Sequence, residues 1–138
     1  MFLQEDQVNV KSMAAIFEGA FMDITATEGN GFSVKGIEFP FPLNVRLEPE
    51  LKAIRFADFN RLYKISEKEA ALICNDANKS VILGRFYAMT YKDAIFVTCQ
   101  YQMSYEKGLI PFQVMANFRL FEKVAGTGVQ CFADFIRP

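Results

Sequence analysis

The segment 39–47 alternates apolar and polar residues more regularly than any other part of the sequence. Its apolar side chains occupy every second position: Phe39, Phe41, Leu43, Val45 and Leu47. A period of two is that of a β-strand with one buried face, so the chain must build a sheet and cover one side of it. Pro40 and Pro42 cannot donate a hydrogen bond to a neighbouring strand. We therefore expect the first half of this strand to be irregular or to lie at a sheet edge.

Further strands are predicted on both sides of this segment. Residues 21–37 have the pattern of a hairpin, with a glycine-rich turn at 28–31 that can supply positive φ angles. Ile54 and Phe56 continue as part of a neighbouring strand. The segments 81–90 and 94–103 also alternate and predict an antiparallel pair. The sheet should therefore have about five strands.

Two segments before the last third of the chain have the three- and four-residue spacing of helices. The first covers 4–19, where apolar residues form one stripe. The second covers 66–78 and begins with a capping box, in which the Ser66 hydroxyl takes the Glu69 backbone N–H and Glu69 reaches back.

A longer helix is predicted over 109–125, and it is apolar on two nearly opposite faces. One face carries Leu109, Phe112, Ala116 and Leu120, and the other carries Val114, Phe118, Phe121 and Ala125. Such a helix needs two covers, the sheet on one side and a tail helix or a second subunit on the other. Gly126, Thr127 and Gly128 are expected to separate it from a tail helix over 129–136.

The predicted order is α-β-β-β-α-β-β-α. This order predicts an α+β fold, with a single antiparallel sheet packed by helices. The length of 138 residues is that of one domain, so residues 1–138 should share one core.

The residue types exclude the commonest catalytic and metal sites. Histidine is absent, which removes Ser-His-Asp triads, Cys-His pairs and imidazole ligands. The acidic pairs Glu67 with Glu69 and Glu48 with Glu50 lie in a first helical turn and a loop, where solvated carboxylates are expected. We expect no enzymatic activity, no metal and no cofactor.

The charge balance argues against polyanionic partners. There are 15 basic and 16 acidic residues, a net charge of −1, so no overall field attracts nucleic acid or anionic lipid. A basic and aromatic stretch over 52–64 could stack bases, but its apolar residues are also needed for the core. The longest uncharged run is far shorter than the roughly 20 residues of a membrane helix. We expect neither nucleic acid nor a membrane as a partner.

The three cysteines predict a reducing compartment. Cys74, Cys99 and Cys131 are odd in number, have no zinc or redox spacing and stand among apolar residues. We expect buried free thiols. The first charged residues are Glu5 and Asp6, where a signal peptide would have a basic segment. We therefore expect a cytoplasmic protein.

Phenylalanine is unusually frequent, with 15 Phe and no Trp. A domain this rich in Phe can exceed the capacity of its interior, and the surplus would form an exposed contact patch for a protein partner or a second copy. The candidates for that patch are Phe39, Phe41, Val114, Phe118 and Phe121. The alternative is that all of them are core residues.

The middle of the chain resembles a known family. The segment 66–78 reads SEKEAALICNDAN, and LGRFYA follows over 83–88. Over roughly residues 8–125 the chain resembles the YbjN-like family of proposed bacterial sensory transduction regulators, which is similar in fold to the type III secretion chaperones. The resemblance implies a compact antiparallel sheet packed by helices, homodimerisation and no catalytic residue. The motif positions are Asn75, Asn78, Arg85 and Phe86, and we expect them to be structural.

The leading functional hypothesis is a non-enzymatic, protein-binding regulator or chaperone-like adaptor. It would capture an extended partner segment on the strand edge over 39–47 or on a face of the helix over 109–125. The alternative is a small-molecule sensor with a pocket lined by Phe and Met, in which Arg85 or Arg119 pairs with a ligand carboxylate or phosphate.

Overall fold

A computed structural model describes residues 2–27, 29–36, 41–81 and 83–137. Within these ranges, a short 3-10 turn, Glu5–Gln7, precedes three helices and seven strands. In chain order these are α1 (Val10–Gly19), β1 (Asp23–Ala26), β2 (Gly31–Lys35), β3 (Pro42–Glu48), β4 (Ala53–Ala57), β5 (Asn60–Leu62), α2 (Glu67–Lys79), β6 (Arg85–Tyr91), β7 (Ala94–Ser104) and α3 (Pro111–Cys131). The α+β class is confirmed, with two more strands than the five expected.

All described strands belong to one antiparallel sheet, in which β7 pairs with three other strands. The first four strands pair in chain order, and β4 then pairs with β7. Gln100 of β7 pairs with Ala57 on one side and with Arg85 on the other, so β4 and β6 lie on opposite sides of β7. The short strand β5 extends the β4 side, because its partners on β7, Ile95 to Val97, also pair with β6.

The third strand is internal and not an edge. β3 pairs with β2 on one side and with β4 on the other. The first half of the predicted strand was expected to be irregular or an edge, and regular strand structure begins only at Pro42, where a missing N–H breaks no ladder. The alternation itself is confirmed from Leu43 to Leu47, and the first part of the predicted strand, including Phe39 and Pro40, lies outside the described residues.

The core lies between the inner face of the sheet and the helices. Phe17 of α1 packs against Phe32 of β2 and Phe56 of β4, and Phe118 and Phe121 of α3 pack against Phe56. The Phe17 and Phe118 ring centroids are 4.9 Å apart, and those of Phe56 and Phe118 are 5.2 Å apart, both edge to face. Edge-to-face pairs add about 0.5–1.5 kcal/mol beyond the area that they bury.

Two helix starts are fixed by side-chain caps. In α1 the Asn9 carboxamide oxygen accepts from the Ser12 backbone N–H at 2.9 Å, so the helix begins at Val10 and not at residue 4. In α2 the Ser66 hydroxyl accepts from the Glu69 N–H at 3.1 Å, which confirms the predicted cap. The Glu69 carboxylate accepts from the same hydroxyl at 2.9 Å. In a full capping box it would accept from the Ser66 backbone N–H instead.

The last helix is longer than expected. α3 continues through Gly126, Thr127 and Gly128 as one helix of 21 residues, so the predicted break and separate tail helix are wrong. A tertiary contact explains why a glycine lies within this helix. A Cβ at Gly128 would lie 2.2 Å from Cε1 of Phe86, so glycine is required for α3 to pass this ring. The chain then ends in turns, where the carbonyl of Phe135 accepts from Tyr63 N–H at 2.6 Å.

Candidate binding surfaces

Three of the residues predicted to contact a partner belong to the core. Val114, Phe118 and Phe121 have no exposed surface. Their placement on a contact patch is therefore wrong in this fold, because the core aromatic cluster already covers them. Phe41, just before β3, is 38% exposed, and Phe39 lies outside the described residues.

The exposed stripe of α3 is the other one. Phe112 is 78% exposed and Leu120 is 48% exposed, and Ala116 between them is also exposed. The sequence shows both stripes but does not show which of them is buried. The structure assigns Val114, Phe118, Phe121 and Ala125 to the core and leaves Phe112, Ala116 and Leu120 in contact with solvent.

An apolar groove runs between α1 and α3, with a volume of about 480 Å³. On the α1 side the lining consists largely of small or aliphatic residues: Ser12, Ala15, Ile16, Gly19 and Ala20. On the α3 side it consists of Pro111, Phe112, Met115 and Arg119, and Leu3 completes it. We call this surface the α1–α3 groove. It places Arg119 beside Phe112 and Met115.

Two motif positions meet at the edge of the sheet. The Asn78 side chain donates to the Phe86 carbonyl at 2.9 Å and accepts from the Phe86 N–H at 2.7 Å. Phe86 is itself buried. These two hydrogen bonds join the end of α2 to the start of β6. Asn75 and Arg85 are exposed and do not join this contact.

The outward face of the sheet, opposite the helices, is basic. Among its described strand residues, five are basic and two are acidic: Lys35, Arg46, Arg55, Arg61 and Arg85, with Asp23 and Glu48. Arg46 and Arg55 are direct cross-strand neighbours, and Arg55 forms an ion pair with Glu48. A chain with net charge −1 thus places an excess of positive charge on one surface.

A buried carboxylate marks the junction between β4 and β5. One oxygen of Asp58 accepts from the Cys99 N–H at 2.6 Å, and the other accepts from the Asn60 side chain at 3.2 Å. Burial raises the pKa of Asp58 to about 6, although these hydrogen bonds act in the opposite direction. Sequence reasoning missed Asp58 because its burial depends on a strand 40 residues later.

The cysteines are free thiols in two environments. Cys74 and Cys99 are buried, as expected, and burial raises the pKa of both, that of Cys74 to about 11. Cys131, at the end of α3, is exposed, so the expectation that it is buried is wrong. Within the described ranges, the His, Cys, Asp and Glu residues form no cluster of three or more that could hold a metal ion. No helix among them has both the length and the apolar character to cross a membrane.

Among the solved structures that the chain resembles, one covers nearly the whole chain. The chain matches YbjN from E. coli, a proposed transcription regulator, with a TM-score of 0.82 and 11% identity over 99% of both chains. At this identity the likeness shows the fold alone, and the predicted YbjN-like fold is confirmed. Neither the protein-family models nor the curated proteins gave a match.

Proposed function

We propose that the chain is a non-enzymatic, protein-binding regulator or adaptor of the bacterial cytoplasm, and that its protein partner docks in the α1–α3 groove. The observation that carries this proposal is the exposure of the groove's apolar lining, above all Phe112. Exposed apolar surface of this kind marks interaction sites in soluble proteins. The free thiols of Cys74, Cys99 and Cys131 support a reducing compartment.

The shape of the groove favours a helix of the partner. Ser12, Ala15 and Gly19 follow one another at three- and four-residue steps along α1, and a Cβ at Gly19 would meet open space. Small side chains allow a partner backbone to approach, and Phe112 and Met115 on the opposite wall supply the apolar contact. Arg119 can pair with an acidic residue next to the partner's apolar stripe.

Docking of a helix in the α1–α3 groove replaces the predicted capture of a partner segment on the strand over 39–47. Both edges of β3 are already paired with neighbouring strands. The YbjN-like fold supports a regulatory role by analogy, since the E. coli protein is described as a proposed transcription regulator. Similarity to the type III secretion chaperones and homodimerisation stay predictions.

Site-specific photo-crosslinking tests the proposal. A photoreactive residue replaces Phe112 in cells, and we expect one defined crosslinked protein, or a crosslinked dimer of this chain. Ala15→Glu should abolish that product, whereas Leu72→Glu on the exposed side of α2 should not. Light scattering on the purified chain then shows whether the partner is a second copy. Absence of a product, or a product that Ala15→Glu leaves unchanged, would refute the groove as a protein site.

A further inference from the structure

We propose that the outward face of the sheet binds single-stranded nucleic acid, at a site distinct from the α1–α3 groove. The expectation of no nucleic-acid partner rests on the overall charge of −1 and on the need for the apolar residues of 52–64 in the core. The strand register changes that argument, because it sorts the basic residues onto one surface. A bound polyanion responds to the charge that it faces and not to the sum over the molecule.

The first part of the site is a depression of about 280 Å³ that contains two arginines. Its lining includes Thr27, Asn44, Arg46, Arg55 and Phe59. Arg46 and Arg55 stand directly opposite each other on neighbouring strands, an arrangement of like charges that is destabilising unless an anion lies between them. Glu48 pairs with Arg55, and Arg46 has no ion pair among the described residues.

A second depression, of about 390 Å³, shares Arg55 with the first. Its lining includes Arg55, Arg85, Tyr87, Gln100 and Gln102. Arg85 likewise has no ion pair within the described part of the chain. Three strand steps separate Arg46 from Arg85, which amounts to about 15 Å at the usual strand spacing of about 4.8 Å. The two depressions therefore form one continuous, arginine-lined track across the sheet.

Each depression combines a cationic group with an exposed aromatic ring and a side-chain amide. Phe59 is 50% exposed and stands with Asn44 in the first, and Tyr87 is 43% exposed and stands with Gln100 and Gln102 in the second. Arginine pairs with phosphate, the ring stacks on a base, and the amide matches donor and acceptor groups on a base edge. Each nucleotide of a single strand presents a phosphate, a base face and a base edge. The repeated set of side chains therefore matches successive nucleotides.

The same features favour a single strand over the other polyanions. A duplex keeps its bases stacked on one another, so the rings of Phe59 and Tyr87 would have nothing to bind. An acidic peptide could pair with Arg46 and Arg85 but would not use the rings. The site recognises phosphate and base faces, which predicts weak sequence preference and strong salt dependence.

Fluorescence anisotropy tests the proposal with the full chain and a labelled 12-nucleotide single strand of mixed sequence, as DNA and as RNA. We expect binding at low salt that is at least tenfold tighter than to the matching duplex. If three arginines contact phosphates, the slope of log K against log salt should be about −2. Arg46→Gln and Arg85→Gln should each weaken binding about tenfold and make the slope shallower by about 0.7.

The rings and two matched charge controls complete the experiment. Tyr87→Ala and Phe59→Ala should each weaken binding about tenfold through lost stacking. Lys79→Gln on α2 and Lys123→Gln on α3 remove the same charge elsewhere and should leave binding within twofold. Thermal melting verifies that each variant is folded.

Several outcomes would overturn the proposal. Absence of binding at low salt is one, and equal losses in the two control variants are another, since they would indicate nonspecific attraction. If a 12-residue acidic peptide competes with equal affinity and neither ring variant matters, the surface binds acidic protein segments and not nucleic acid.

Discussion

The side-chain amide of Asn78 pairs with both backbone groups of Phe86, at 2.9 and 2.7 Å. Asn78 lies near the end of α2, and Phe86 is the second residue of β6, whose other edge is occupied by β7. The amide therefore takes the place of a neighbouring strand at this position. It satisfies an edge that would otherwise end the sheet with unpaired groups.

Replacing Asn78 should therefore destabilise the fold more than replacing Asn75. Asn78→Ala leaves the partly buried N–H and C=O groups of Phe86 without their partners, and we expect the free energy of unfolding to fall by about 2 kcal/mol. Asn75→Ala, on the exposed side of the same helix, should change it by less than about 0.5 kcal/mol. Urea unfolding measures both, and equal effects would contradict the strand-substitute role.

Gly128 should not tolerate a methyl group, although alanine is the better helix former. In Gly128→Ala the new Cβ would lie 2.2 Å from the Phe86 ring, and we expect a loss of about 1–3 kcal/mol from overpacking. Gly19→Ala is the matched control, because a Cβ at this helical position meets open space. It should raise the free energy of unfolding by up to about 1 kcal/mol. A stabilised Gly128→Ala variant would show that α3 does not pack on Phe86.

The Asp58 carboxyl should make stability depend on pH in a direction opposite to that of an ion-paired acid. Burial raises its folded-state pKa from 3.8 to about 6, so the folded protein binds this proton more tightly than the unfolded chain does. Its contribution to stability is complete below pH 3.8 and is lost as the pH rises to about 6.

Asp58→Asn isolates that contribution, because the other carboxyl groups titrate equally in both proteins. The amide oxygen can still accept from the Cys99 N–H, and the variant carries no charge at position 58 at any pH. Relative to the unchanged protein, its free energy of unfolding should rise by about 2–3 kcal/mol between pH 4 and pH 7. Urea unfolding at each pH gives the difference, and a difference that stays flat or falls would rule out the raised pKa.

Truncating a side chain should cost much more stability on the buried stripe of α3 than on the exposed stripe. Phe118→Ala removes a ring that packs on Phe17 and Phe56, and we expect a loss of about 3–5 kcal/mol. Phe112→Ala removes an exposed ring and should change stability by less than about 0.5 kcal/mol. Thermal or urea unfolding compares them, and a larger loss for Phe112→Ala would invert the assignment of the two faces.

The local patterns of the sequence were enough to predict most helices and strands. Alternation from Leu43 to Leu47 and the cap at Ser66 depend on neighbours within a few residues, and both appear in the structure. The strand over 60–62 was missed because three residues after a buried aspartate carry too little periodicity.

The errors share a cause, which is contact between distant segments. The spacing on α3 shows two apolar stripes, and only packing on Phe17 and Phe56 decides which one is buried. Gly128 lies within the helix against a ring 42 positions earlier in the chain, and this contact explains a glycine that the local pattern presents as a helix break. In the same way, Arg46, Arg55 and Arg85 share one face only through the pairing of four strands, so no linear pattern could have grouped them.

Thiol labelling should distinguish Cys131 from the other two cysteines. Cys131 is exposed, whereas burial raises the pKa of both Cys74 and Cys99 and removes them from solvent. Because the thiolate is the reactive form, we expect iodoacetamide at pH 8 to add one label to the folded protein and three in urea. Cys131→Ser should reduce the native count to zero, as read by intact mass. A second label on the folded protein, or a label that persists in Cys131→Ser, would show that α2 or β7 opens to solvent under native conditions.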